Sequence, residues 1–310
     1  MNSMSSQPAP IFILGLLPRS GTNHLWDLLG LHPATELMHP VYEDHLVRWT
    51  PHLVHYVEDV SRRWSPEWEV PADEATELLS SLGDGVAAWI TGGSSRHVVT
   101  KMPSVQNAHL FFRVFRSSPL VVVVRDGRSL AESGVRTFGW TYERAFRSYS
   151  MTAQVLLDLQ ATAPSERLHV VRFEDLVQHP DATVRSVCEH CALDPDLFPY
   201  ERIADLPVRG SSALAGNGGD VHWARTDKPQ GFAPVERWHT WSPHLHRRFA
   251  QLAGEQHQAL GYDLLHAPGS DTIAERLGDF RDGLLDSTLR DVRERVGRVR
   301  KAVPRAVKGE

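Results

Sequence analysis

The sequence predicts an α/β fold in which a central, mainly parallel sheet is flanked by helices in three layers. Apolar runs of strand length (11–15, 98–101, 121–124 and 168–173) alternate with longer segments of helical period, as in βα units. The runs are rich in Val, Ile and Leu with little polar interruption, as strands covered on both faces must be. The first run also ends in a glycine-bounded turn that opens directly on a helical pattern.

In chain order, Ile11-Phe-Ile-Leu-Gly15 is the first strand, and Leu25, Leu28 and Leu29 mark the helix behind its turn. A His- and Trp-rich region at about 39–70 contains helical pieces broken by Pro51, Pro66 and Pro71. An acidic helix is expected at about 72–90, and Thr91-Gly-Gly-Ser-Ser95 turns the chain into a short strand, Val98–Lys101, that Pro103 ends. Helical patterns at about 104–116, 128–138 and 141–163 flank the strand Val121–Val124. Leu168-His-Val-Val-Arg172-Phe173 is another strand, followed by a helix near 181–193. The glycine-rich stretch from about 205 to 233 is a long loop, and a loop of that length inside a domain serves a function more often than not; beside a nucleotide site it is expected to be a lid. Helical pattern resumes at about 243–261.

Two segments carry the chemistry. Gly15-Leu-Leu-Pro18-Arg19-Ser20-Gly21-Thr22 joins strand to helix, so backbone N–H groups and a helix N-terminus aim at one point, which suits a phosphate. Arg19 adds a fork of donors matched to a tetrahedral oxyanion, and Ser20 and Thr22 add hydroxyls. The loop is P-loop-like, but an ordinary P-loop reads G-x-x-x-x-G-K-[ST]. Here the spacing is one residue longer and Thr22 stands in place of the lysine. In the second segment, Val121–Val124 runs into Arg125-Asp126-Gly127-Arg128, at the strand end where open α/β sheets bind ligands. Ser133, eight residues after Arg125, falls about two helical turns on, on the side that can face back. An arginine and a hydroxyl converging there would hold a second phosphate. The ordinary alternative is an Arg–Asp surface turn and a solvent-facing serine.

Together these segments resemble the nucleotide-binding motifs of sulfotransferases that use PAPS (3′-phosphoadenosine 5′-phosphosulfate), in the style of the bacterial and protein-tyrosine branches. Leu17-Pro18-Arg19-Ser20-Gly21-Thr22, with His32-Pro33 ten residues on, is similar to their 5′-phosphosulfate loop. The resemblance implies that Pro18, Arg19, Ser20, Gly21, Thr22 and Asn23 bind the donor. It also implies that Arg125 and Ser133 take the 3′-phosphate. Arg172-Phe173-Glu174-Asp175-Leu176 resembles an R-Y-E-D-L segment, with Phe173 keeping a stacking face and losing a hydroxyl. Val235-Glu-Arg237-Trp238 resembles the loop that closes over the nucleotide, with Arg237 as its basic residue, and Ser211 and Ser212 lie where some relatives contact the transferring group. The implied activity is transfer of a sulfuryl group to an acceptor hydroxyl with release of PAP (adenosine 3′,5′-bisphosphate), and no metal is required.

Such a reaction needs charge stabilisation and a base. Lys101 ends a strand just before Met102-Pro103, as does the lysine of a Lys-x-Pro segment in the protein-tyrosine branch, and is the candidate for the leaving-group side. A strand-end lysine is otherwise a solvated charge. For the base, Tyr42-Glu43 matches the glutamate that relatives often place about ten residues after His-Pro. His39 suits proton transfer near neutral pH, and Glu36 and Asp44 are further candidates.

Composition narrows the rest. A chain of 310 residues, 41% hydrophobic, can bury a full core. A net charge of −5 and a pI near 6.4 argue against nucleic acid as the main partner. Two cysteines make no disulfide framework and point to a reducing, cytoplasmic setting. The first residues lack the basic and apolar regions of a signal peptide, and no apolar stretch approaches the roughly 20 residues of a membrane span, so a soluble protein is expected. Cys188-Glu-His190-Cys191 has no second ligand pair for a metal, and its cysteines are read as buried and structural. The expected organisation is a sulfotransferase-like nucleotide-binding domain over 10–265 and a basic amphipathic helical tail over 270–310. From Arg290 to Lys308 eight basic residues face two acidic ones, which suits an anionic membrane or a partner, or a frayed terminal helix. The acceptor is any hydroxyl-bearing small molecule, sugar, lipid or peptide. Two other readings stand beside this one. A kinase-like phosphotransferase requires a Walker lysine and a metal-binding carboxylate. A non-catalytic nucleotide-binding scaffold requires neither Lys101 nor the acidic candidates at the loop.

Overall fold

The computed structural model describes residues 8–38, 43, 45–68, 70–209, 235 and 238–265. Five strands, β1 (Ile11–Gly15), β2 (Thr35–Leu37), β3 (His97–Met102), β4 (Leu120–Val124) and β5 (Leu168–Arg172), form one sheet in the order β2-β3-β1-β4-β5. Every pairing among them is parallel. The helices are α1 (Thr22–Leu29), α2 (Thr50–Ser61), α3 (Glu74–Thr91), α4 (Phe111–Val114), α5 (Gly127–Phe138), α6 (Tyr142–Thr162), α7 (Phe173–Gln178), α8 (Pro180–His190) and α9 (Pro243–Ala259). No helix among the described residues is long and apolar enough to cross a membrane.

Strand alternation divides the core into two. Phe12 and Leu14 of β1 and Val122 and Val124 of β4 pack with residues of α2 to α6 and α9. Ile11, Ile13, Val121 and Val123 pack on the other face, with α1, α7 and α8. The result is the expected three-layer arrangement, with β1 and β4 buried along their whole length. Each fully buried Leu, Val or Phe contributes about 1.5–3 kcal/mol from its removal from water. The chain leaves β1 for the β2 edge, and leaves β3 across β1 to β4. That reversal opens a crevice at the carboxyl ends of β3, β1 and β4, where such sheets bind ligands.

Local sequence explains most helix boundaries. Asp126 caps α5, accepting from the N–H groups of Arg128 and Ser129, Thr141 caps α6 and Ser242 caps α9. Three expectations are corrected. Pro51 does not break the 39–70 region but lies in the first turn of α2, where its missing N–H costs nothing. The 104–116 segment forms a 3₁₀ turn (Ala108–Leu110) and the single turn α4 rather than one helix. β2 and α7 are elements that the sequence pattern did not mark. The long loop expected at about 205–233 lies outside the described residues from 210 on, as does the 270–310 tail.

Helix α9 is seated on α6 through aromatic packing (Phe249 and Phe146 rings 5.2 Å apart) and a buried contact between Tyr149 Oη and His257 Nδ1 at 3.1 Å. Tyr262 stacks on His257, centroids 5.0 Å apart. Burial pushes His257 down from 6.5 to about 4, despite the opposing pull of Asp126. Between those values the unfolded chain binds a proton that the folded chain refuses, so stability rises with pH. The contribution is complete above about pH 6.5 and is lost as pH falls toward 4, an effect of about 3 kcal/mol at roughly 1.4 kcal/mol per pH unit. Urea unfolding at pH 7 and pH 4.5 is expected to show this loss, and His257→Gln is expected to flatten the slope. An unchanged slope in the variant would remove His257 as its source.

Candidate active site

The β1–α1 loop is a tight turn held by its own serine. Ser20 Oγ donates to the Leu17 carbonyl at 2.7 Å and accepts from the Leu17 N–H at 3.1 Å. Arg19 lies in the left-handed region, φ 84°, and so does Gly21, φ 106°. For a non-glycine residue this conformation costs on the order of 1–3 kcal/mol, a strain typical of functional loops. Gly21 is glycine for a second reason: a Cβ there would lie 2.2 Å from the Phe173 ring. Thr22 then starts α1, whose N-terminal N–H groups face the crevice. Ser20 and Thr22 are both buried, and Pro18, Arg19 and Asn23 are half-buried around them.

The second segment meets this loop directly. Arg125 follows β4 on the α1 face of the sheet and donates from Nη1 to the Arg19 carbonyl at 2.9 Å. Arg19 in turn donates from Nε to Ser133 Oγ at 2.9 Å. Residues 114 positions apart are thereby joined, with Arg125 and Ser133 both buried. Phe173 forms the floor, its ring centroid 4.6 Å from the Arg125 guanidinium carbon. The ring is 7% exposed, closed in by Gly21 and Arg125, so it acts on the site through Arg125. Asp126 turns away. Its carboxylate caps α5 and pairs with Arg128 at 2.6 Å. Burial pushes Asp126 up, but the hydrogen bonds and charge of Arg128 outweigh it and hold the carboxyl below its usual range.

Lys101 is the third component. Its neighbour Val99 packs on the α1 face, so alternation sends the Lys101 side chain to that face too. Its Nζ lies 5.4 Å from the Trp26 ring centroid and 3.9 Å from Glu43 Oε1. The side chain is 5% exposed against 36% for Glu43, so Lys101 is no solvated surface charge. Glu36 is engaged elsewhere, with Arg96 Nη2 at 2.8 Å and Ser94 Oγ at 3.1 Å. His39, Asp44, Ser211, Ser212 and Arg237 lie outside the described residues.

One group escaped the sequence reading. Arg209 pairs with Asp27 at 2.9 Å, with side chains 13% and 4% exposed, and its guanidinium carbon lies 5.5 Å from the Trp26 ring centroid. Trp26 thus carries Arg209 as well as Lys101, and is itself fixed by an Nε1–H bond to the Val99 carbonyl at 3.1 Å. The signal was present: Asp27 interrupts the apolar run Leu25-Trp26-Asp27-Leu28-Leu29, and a carboxylate there needs a buried partner. Cys188 and Cys191 are free and buried. Burial raises Cys188 to about 11 and Cys191 higher still, which leaves both as unreactive core thiols.

The model of the sulfotransferase family matches residues 10–196, a span that contains the β1–α1 loop, Lys101, Arg125, Ser133 and Phe173. No curated protein matches the chain. Among solved structures, the sulfotransferase domain from the Synechococcus PCC 7002 olefin synthase is 21% identical with a TM-score of 0.52, over 83% of this chain and 96% of that one. The sulfotransferase domain from the curacin biosynthetic pathway is 19% identical with a TM-score of 0.51, over 84% of this chain and 100% of the other. At those identities the likeness is one of fold. The family model covers more than half of the chain, and with it the whole convergence of loop, strand-end arginine and helix serine: the chain belongs to the sulfotransferase family.

Proposed function

We propose that this sulfotransferase takes its sulfuryl group from PAPS and passes it to an acceptor hydroxyl by in-line displacement. The observation that carries the proposal is the chain of contacts Arg125–Arg19–Ser133 at 2.9 Å each. It brings two guanidinium groups and a hydroxyl together at the start of α1, a donor set for a ligand with two phosphate positions. The β1–α1 loop then holds the 5′-phosphosulfate, and Arg125 with Ser133 holds the 3′-phosphate.

The acceptor oxygen attacks sulfur as the bond from sulfur to the bridging phosphate oxygen breaks, and PAP leaves with the negative charge. The protein's part is positioning and electrostatic stabilisation. Lys101, a buried cation at the strand end, stabilises the charge that grows on the leaving side. Glu43 is the described base candidate nearest to Lys101 and takes the acceptor proton. Cationic side chains and backbone N–H groups supply the charge stabilisation, so the mechanism calls for no metal. The acceptor belongs to the hydroxyl compounds as a class: small molecule, sugar, lipid or peptide.

Calorimetric titration in magnesium-free buffer tests the donor. PAP is expected to bind at micromolar concentration and at least about tenfold more tightly than ADP, one charge-assisted contact being worth that much. Equal affinity for the two would sink the 3′-phosphate assignment. Tight binding of ATP that requires magnesium would favour a phosphotransferase.

A further inference from the structure

Resting on the PAPS reading above, we infer that Glu174 is a positioning residue for 3′-phosphate recognition, completing the cap of α5 from a separate element. Glu174 stands in the first turn of α7, next to Phe173. Its Oε1 accepts from the Asp126 N–H at 3.0 Å, and its Oε2 accepts from Tyr262 Oη at 2.9 Å.

The first of these bonds matters because of where Asp126 lies. In a self-contained capping box, the side chain at the N-cap bonds the N–H three residues on, and a Glu or Gln at that third position bonds back to the N-cap N–H. Asp126 performs the first half, its carboxylate accepting from Arg128 and Ser129. The third position is Ser129, too short to perform the second. Glu174, 48 residues away in sequence, performs it instead. The peptide it grips is the one joining Arg125 to Asp126, so the same bond orients Arg125 and fixes the start of the helix that carries Ser133. Both groups assigned to the 3′-phosphate depend on this carboxylate, whereas the β1–α1 loop meets it only at second hand, through the Arg125 bond to the Arg19 carbonyl.

The second bond keeps the carboxylate in place. Tyr262 is 5% exposed, stacked on His257, with the Arg172 guanidinium carbon 4.1 Å from its ring centroid. Burial, with the charge of Glu174, holds its phenol well above its ordinary pKa, so Tyr262 stays a donor. Glu174 thereby links the segment after α9 to the turn after β4.

The probes are PAP and adenosine 5′-monophosphate, which differ only by the 3′-phosphate, titrated into the full chain. The wild type is expected to prefer PAP by about 100-fold or more, and Glu174→Met, which keeps the length of the side chain but has no oxygen to accept the Asp126 N–H, to lose about 10-fold or more of PAP affinity. Its affinity for the monophosphate is expected to change less than about threefold, a split that a general loss of structure would not produce. Tyr262→Phe keeps the ring and removes one hydroxyl, and is expected to lose about 3- to 10-fold for PAP alone. It decides the matter if Glu174→Met does not fold. Variants that keep the wild-type preference, or lose both ligands equally, overturn the role of Glu174. A wild type with no preference overturns the PAPS reading, and this inference with it.

Discussion

Lys101→Ala is expected to lower the turnover of sulfuryl transfer by about 100- to 1,000-fold, the cost of removing one preorganised charge-stabilising donor. PAP affinity is expected to change much less, because on the proposed reading the loop groups and Arg125 hold the two phosphates. The prediction rests on position. Lys101 lies level with Ile13 of β1, beside the start of the donor loop, and its ammonium is held off water against Trp26. A charge in such a setting acts at lower effective dielectric than one in solution. Lys101→Arg is expected to restore little, since a planar fork on a different stem does not place its charge where the compact ammonium stands against Trp26. Single-turnover kinetics with labelled PAPS would separate the chemical step from binding. A variant that turns over within about threefold of wild type would remove Lys101 from the mechanism and leave it a structural role against Trp26. Glu43→Gln gives a useful contrast, since a base removed should alter the pH profile as well as the rate.

How much of this was legible in the sequence follows from the range of each interaction. β1 and β4 announce themselves because strands buried along their whole length must be apolar throughout, β3 and β5 announce themselves by their paired valines, and α5, α6 and α9 by their local caps. β2 does not. It is three residues long with the exposed Glu36 at its centre, and only its pairing with β3 makes it a strand. The same division holds in the site. Arg19, Gly21, Arg125 and Ser133 stand in short motifs whose spacing alone predicts convergence. That Arg19 is the bridge between Arg125 and Ser133 is a property of the folded loop, with its two left-handed residues. Phe173 is legible as a ring near the site, but its burial beneath Gly21 depends on residues 152 positions apart in the chain. The partners of Glu174 and Asp27 lie farther along the chain than any sequence window reaches.

Arg125→Ala carries the other large effect, an expected loss of about 100-fold or more in PAP affinity with a much smaller loss for adenosine 5′-monophosphate. Two contributions add. On the proposed reading the guanidinium supplies charge-assisted hydrogen bonds to the 3′-phosphate, each worth about 1.5–3 kcal/mol. It also donates to the Arg19 carbonyl, so its removal frees the residue that reaches Ser133. The second contribution separates Arg125→Lys from the wild type. A lysine keeps the charge but lacks the fork and the flat face that lies on Phe173, so it is expected to regain only part of the loss. Salt offers an independent reading, because Arg125 is 5% exposed and buried charge is screened less than surface charge. The PAP preference of the wild type should therefore persist at ionic strengths that abolish surface electrostatics. If Arg125→Ala binds PAP as the wild type does, the 3′-phosphate lies elsewhere, and the contact from Arg125 to Arg19 only shapes the loop.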